Sequence, residues 1–217
     1  LARLYLIQGQ PLKALQSIDA AAKAHTADPA LLEVKVMGAL ATDDLGNARA
    51  AADRLVQVQP KSADAYIYLA NIGVASGDRQ GARRALLQAL NLDPKHFRAK
   101  AALARLELND GKVAAALKLA QELRAEWPRI AESYVIEAEA HSSLKDFQKA
   151  LVALDEGRRN FPDSTALVLA QAKALWLKGQ SADSITSLLA WDKEHPDNLE
   201  IVSFLGTAYS AQGRDQE

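Results

Sequence analysis

The residues able to do chemistry in this sequence are few and scattered. Histidine occurs at His25, His96, His141 and His195, without an HExxH pair or a closely spaced cluster of the kind a metal ion requires. His25, His96 and His195 fall near loops or helix ends, so the histidines read as solvated surface side chains. The neighbouring carboxylates Glu137 with Glu139, and Asp43 with Asp44, are the groups that acid and base catalysis would use. Neighbours this close along a helix point to different faces, however, and such charges face water. Neither a phosphate-binding glycine loop nor a nucleophile elbow is present. The expectation is a chain without catalytic residues, resident metal or cofactor, whose work is binding.

The elements that would carry a binding surface announce themselves by repetition. The stretch from Ser62 to Pro94 reads as two amphipathic helices hinged at Ser76-Gly77-Asp78 and closed by Asp93-Pro94. Proline recurs at 60, 94, 128, 162 and 196, a spacing of 34 residues, and Thr26 holds the same phase one period earlier. A helix pair of this length cannot bury its apolar face alone and must stack on its neighbours.

Small residues recur in step with the prolines. Ala70, Ala104, Ala138, Ala172 and Gly206 share one phase with Ala2, Val36 being the exception. Ala14, Ala48, Ala82, Ala116, Ala150 and Ser184 share a second. Both sets belong where two helices cross, because axes about 8–10 Å apart leave little room for side chains. The turn within each pair carries Gly9, Gly77, Gly111, Gly179 and Gly213, as the left-handed backbone past a helix end favours. Asp43 and Lys145 take that place in two copies, and lysine should be strained there by roughly 1 kcal/mol. Ser62, Asp163 and Asn198 are the expected caps of the helices that follow.

Small residues at positions 8 and 20, glycine at 15 and proline at 32 of a 34-residue helical hairpin resemble the tetratricopeptide repeat over the whole chain. The resemblance implies an all-α fold, a right-handed alpha-alpha superhelix (TPR solenoid) of stacked helix-turn-helix repeats. A single array is expected: a partial repeat at about 1–26, full repeats at 27–60, 61–94, 95–128, 129–162 and 163–196, and a terminal helix at 197–213. Thirteen helices follow. Position 7 holds Leu69, Leu103 and Leu205 but Lys35, Glu137 and Gln171, so looser packing is expected in the repeats beginning near 27, 129 and 163.

In this family the first helix of each pair lines a concave surface. Carrying that over implies a partner-binding groove of Tyr68, Asn71, Arg98 and Arg105, continued by Glu132, Glu139, Lys173 and Trp176. An apolar floor under charges of alternating sign suits an extended or helical polypeptide better than a small metabolite. Position 5 carries no lysine, so the chaperone-type carboxylate clamp is absent, and position 6 lacks the asparagine ladder of protein-modifying sugar transferases.

The series LARLYLIQGQPLKAL, ARLELNDGKVAAALKLAQEL, YVIEAEAHSSLKDFQKAL and SLLAWDKEHPDN is also similar to the TPR-repeat lipoproteins of bacterial PEP-CTERM/exosortase systems. That resemblance implies polysaccharide-export or exosortase components as partners. It also implies a periplasmic or outer-membrane-anchored location; without it, the location would be cytoplasmic.

Composition narrows the classes. Lys plus Arg number 26 against 27 Asp plus Glu, and no basic stripe or aromatic-glycine motif of a nucleic-acid binder occurs. Zero cysteines leave the redox compartment open. No apolar run reaches the roughly 18 residues that a membrane span needs. The sequence opens at Leu1 inside the first helix of a repeat and closes after one helix of another, so a portion of a longer array is expected, with any export signal or lipid anchor outside it. The apolar set Leu199, Ile201, Val202, Phe204, Leu205 and Tyr209 exceeds what one neighbouring helix covers, which predicts end-to-end self-association. Two further readings compete with an envelope scaffold: a cytoplasmic adaptor, and the substrate-recruiting segment of a larger enzyme.

Overall fold

Ser62 opens a helix by accepting the Ala65 backbone N–H at 3.3 Å, and Gly77, at φ +80°, ends the pairing so that Asp78 can open the next by accepting from Gly81. The computed structural model describes residues 1–196 and 198–211, and helix pairs of this length recur through them. The described residues form thirteen α-helices and no strand. They are α1 (Ala2–Ile7), α2 (Pro11–Ala24), α3 (Pro29–Ala41), α4 (Leu45–Val58), α5 (Ala63–Ala75), α6 (Arg79–Leu92) and α7 (Phe97–Asn109). There follow α8 (Val113–Glu126), α9 (Ala131–Ser143), α10 (Phe147–Asn160), α11 (Thr165–Leu177), α12 (Ser181–Glu194) and α13 (Leu199–Ala211). Gly213, and the ends expected for the 197–213 helix, lie outside the described residues.

The chain divides into two compact units, Leu1–Leu103 and Ala104–Glu217. In the first, α2, α3, α4, α5 and α6 pack in chain order, and α1 touches both α2 and α3. Its main core gathers Leu32, Val36, Leu55, Ala65, Tyr68 and Ile72. In the second, α8 to α13 pack in the same sequential way, while α11 also meets α9 and α13 directly. In the second unit, first helices therefore lie against first helices. Each buried leucine, such as Leu86 or Leu123, contributes about 2 kcal/mol.

The crossing points carry the small side chains. Ala82, Ala116 and Ala150 are 0 % exposed, which leaves no space for a longer side chain. At the α5/α6 crossing a Cβ on Gly73 would stand 2.9 Å from the Ala82 backbone nitrogen, so only glycine fits. Ser184 takes the alanine place in α12 and donates its hydroxyl to the Ala172 carbonyl at 2.8 Å.

The two non-glycine turns adopt the conformation that their position demands, with φ +57° at Asp43 and +60° at Lys145. Capping departs from expectation at one of three sites. Ser62 and Asn198 both accept backbone N–H groups, but the residue before α11 is Ser164, and Asp163 instead lies 3.8 Å from His195 Nε2.

A partner meets the polar residue at position 7 in each of the two later repeats. Glu137 accepts from Arg124 on α8 at 2.5 Å, and Gln171 accepts from Arg158 on α10. Arg158 follows Arg124 by one repeat. Glu137 is thus 8 % exposed rather than facing water. His141 likewise departs from the surface reading at 7 % exposed, and His96 is half-buried with Nε2 3.4 Å from Asp64. His25 is exposed.

Candidate interaction groove

The first helices of the second unit place charged residues one repeat apart on a common face. Arg105 on α7 donates to Glu132 on α9, and its Nε stands 3.9 Å from Glu139 Oε2. These side chains are 36–43 % exposed, so the pairs contribute at most about 1 kcal/mol each and remain open to exchange with a ligand. Lys173 on α11 is exposed and forms no ion pair with any described residue.

These groups border a cavity of ≈ 350 Å³, whose walls include Arg105, Leu108, Glu139, Ser142, Lys173 and Leu177, over a floor of Ala138, Ala170 and Ala174. A second cavity of ≈ 670 Å³ shares Glu139, Ala170 and Lys173 with the first and continues past Val135, Leu169 and Phe204. Together they form one groove across α7, α9, α11 and α13. The alanine floor lets a bound backbone approach closely, while Leu177, 52 % exposed, offers apolar contact at the wall.

The first unit has a smaller counterpart of ≈ 440 Å³ bordered by Arg3, Glu33, Met37, Asp64, Tyr68 and Arg98. Two ion pairs span it, Arg3 with Glu33 at 2.6 Å and Arg98 with Asp64 at 3.1 Å. The Tyr68 ring is core, 9 % exposed, and its hydroxyl reaches Met37 Sδ at 3.7 Å. Burial, reinforced by the charge of Glu33, raises this phenol above the ordinary tyrosine value.

The residues expected to line the groove are therefore placed differently from one another. Arg105, Glu139 and Lys173 border one groove, with Glu132 held by Arg105. Tyr68 and Arg98 border the first-unit cavity. Asn71 is exposed and borders neither cavity, and Trp176 is half-buried against the core of Val168, Ile185 and Leu188. Sequence reasoning missed Arg3, Glu33 and Met37, which lie outside the best-matching repeats, and the Arg124–Glu137–Glu156 cluster on α8, α9 and α10. Aligning position 28 of one repeat with position 7 of the next would have found that cluster. Among the described residues no group of His, Cys, Asp or Glu is placed to hold a metal ion, and no helix is long and apolar enough to cross a membrane.

The tetratricopeptide repeat family profile matches residues 74–129 and 137–198, together more than half of the chain. The chain belongs to the tetratricopeptide repeat family, whose fold is that of a protein-interaction scaffold. No curated protein matches it in sequence. Among solved structures, a thermophilic TPR protein of Thermus thermophilus is 26 % identical, with a TM-score of 0.62 over 70 % of this chain and 84 % of that one. A tetratricopeptide repeat protein of Parabacteroides merdae is 17 % identical, with a TM-score of 0.78 over 96 % of this chain and 81 % of the other. PilW, described as a widely conserved type IV pilus biogenesis factor, is 14 % identical, with a TM-score of 0.75 and 94 % of each chain covered. The last two likenesses concern the fold alone.

Proposed function

We propose that this chain is a noncatalytic scaffold that holds a polypeptide partner in the groove bordered by Arg105, Glu139 and Lys173. The observation that carries the reading is Lys173, an exposed cation without an ion pair among the described residues, set over an alanine floor beside exposed leucine. A polypeptide supplies what that surface lacks: a backbone that lies close on alanine, apolar side chains for Leu108 and Leu177, and a carboxylate for Lys173. The repeats act as one array in this proposal. The wording shared with PEP-CTERM lipoproteins supports a place in exopolysaccharide export or exosortase-linked protein sorting at a bacterial envelope.

A photo-crosslinking side chain in place of Ser142, inside the groove, tests the site. Crosslinks to a polypeptide that disappear when Lys173→Glu is added are expected. Crosslinks unaffected by that change would reject the groove.

A further inference from the structure

The 34-residue repeat allows each side chain to be compared with its counterpart one repeat on. Along the edge of the second unit where second helices end, two cavities occupy the same phase. One, of ≈ 380 Å³, is bordered by Gln121, Arg124, Ala125 and Pro128. The other, of ≈ 560 Å³, is bordered by their counterparts Asp155, Arg158, Arg159 and Pro162. Both lie apart from the interaction groove, with which they share no residue.

In the first cavity the guanidinium is paired with two carboxylates. Arg124 donates to Glu137 at 2.5 Å and to Glu156, and it sits 5.0 Å from the Tyr134 ring centroid. One repeat on, the counterparts of those two carboxylates are Gln171 and Ala190. Arg158 accordingly donates to the neutral amide oxygen of Gln171, whose Nε2 in turn donates to Asp155 at 2.5 Å. Neither Arg158 nor the adjacent Arg159 forms an ion pair with a described residue.

Trp191 borders the same cavity at 5 % exposed, and its Nε1–H finds no acceptor. A buried donor left unsatisfied is destabilising. The remaining acids stand on the rim: Asp163 is 89 % exposed beside His195, and Glu194 is exposed, so water screens both.

We propose that the cavity between Arg158, Arg159 and Trp191 binds a carboxylate, which takes the place beside Arg158 that Glu156 takes beside Arg124. A planar carboxylate fits a guanidinium fork through two parallel hydrogen bonds. The carboxylate belongs either to an acidic side chain of a polypeptide or to a small organic acid.

The indole N–H resonance of Trp191, assigned with Trp191→Phe among the three tryptophans, reports occupancy in the whole chain. Succinate and the peptide acetyl-Gly-Glu-Gly-amide serve as probes, with acetyl-Gly-Gln-Gly-amide as the neutral control. A saturable shift with a carboxylate probe and none with the control is expected. Half-saturation by the peptide at about tenfold lower concentration than by succinate identifies a polypeptide source, and the reverse order a small acid. Ala190→Glu, at an exposed position, supplies the missing carboxylate from within and is expected to abolish the response, as is Arg158→Gln/Arg159→Gln. No saturable shift with either probe, or an unchanged response in folded Ala190→Glu, would overturn the proposal.

Discussion

Arg124 donates to Glu137 Oε2 at 2.5 Å between α8 and α9, at the two repeat positions that Val56 and Leu69 hold in the first unit. Those apolar residues pack against a single core, whereas the charged pair draws in Glu156 and leaves His141 Nε2 4.0 Å from Glu137. Removing one partner strands the other. Arg124→Leu should therefore cost about 2 kcal/mol, a discounted figure because the guanidinium is partly exposed, while Arg124→Leu/Glu137→Leu should fall within about 1 kcal/mol of wild type. Urea unfolding of the four members of the cycle measures both values.

Lys145 holds φ +60° where most repeats carry glycine. Lys145→Gly relieves that strain and should stabilise the chain by about 1 kcal/mol. A higher urea midpoint at unchanged slope is the expected result, with a smaller gain for Asp43→Gly, since aspartate tolerates the conformation better.

Stability should fall in acid through two helix caps. The Asn47 side-chain amide, then its backbone N–H, hold the Asp44 carboxyl below its ordinary value of 3.8, and the Lys149 side chain and backbone N–H do the same for Asp146. Because both folded values are lowered, the stabilisation is fully present above the ordinary value and is lost as pH falls through the lowered ones. Asp44→Asn/Asp146→Asn should flatten the decline in urea midpoint between about pH 5 and about pH 2. A decline as steep as in wild type would assign the acid sensitivity elsewhere.

The fold was legible because its determinants are local and periodic. Proline stops, turn glycines and crossing-point alanines act within one hairpin, so their spacing alone locates the helices. Contacts between repeats were less legible. That Glu137 is buried rather than solvated depends on Arg124 arriving from the preceding hairpin, which no single-repeat pattern displays. Among the groove residues, Arg105, Glu139 and Lys173 share a phase and meet in one cavity. Trp176 is of the right helix, but its size lets it reach the α12–α13 core, and a family position cannot convey that difference.

Ala116 is 0 % exposed at a crossing of second and first helices, as is Ala82. Ala116→Leu or Ala82→Leu should overpack the hairpin and cost about 1–3 kcal/mol. Thermal melts followed by circular dichroism test this, and a melting temperature equal to wild type would mean that the crossing yields without strain.

Lys173 decides whether the groove binds a polypeptide. Peptides selected by display on the chain can be titrated by fluorescence anisotropy against wild type, Lys173→Glu in the groove, and Lys118→Glu on the exposed side of α8. Lys173→Glu should weaken binding by about tenfold or more, and Lys118→Glu should leave it unchanged. Equal affinity for wild type and Lys173→Glu, or a loss confined to Lys118→Glu, would contradict a partner held in the groove.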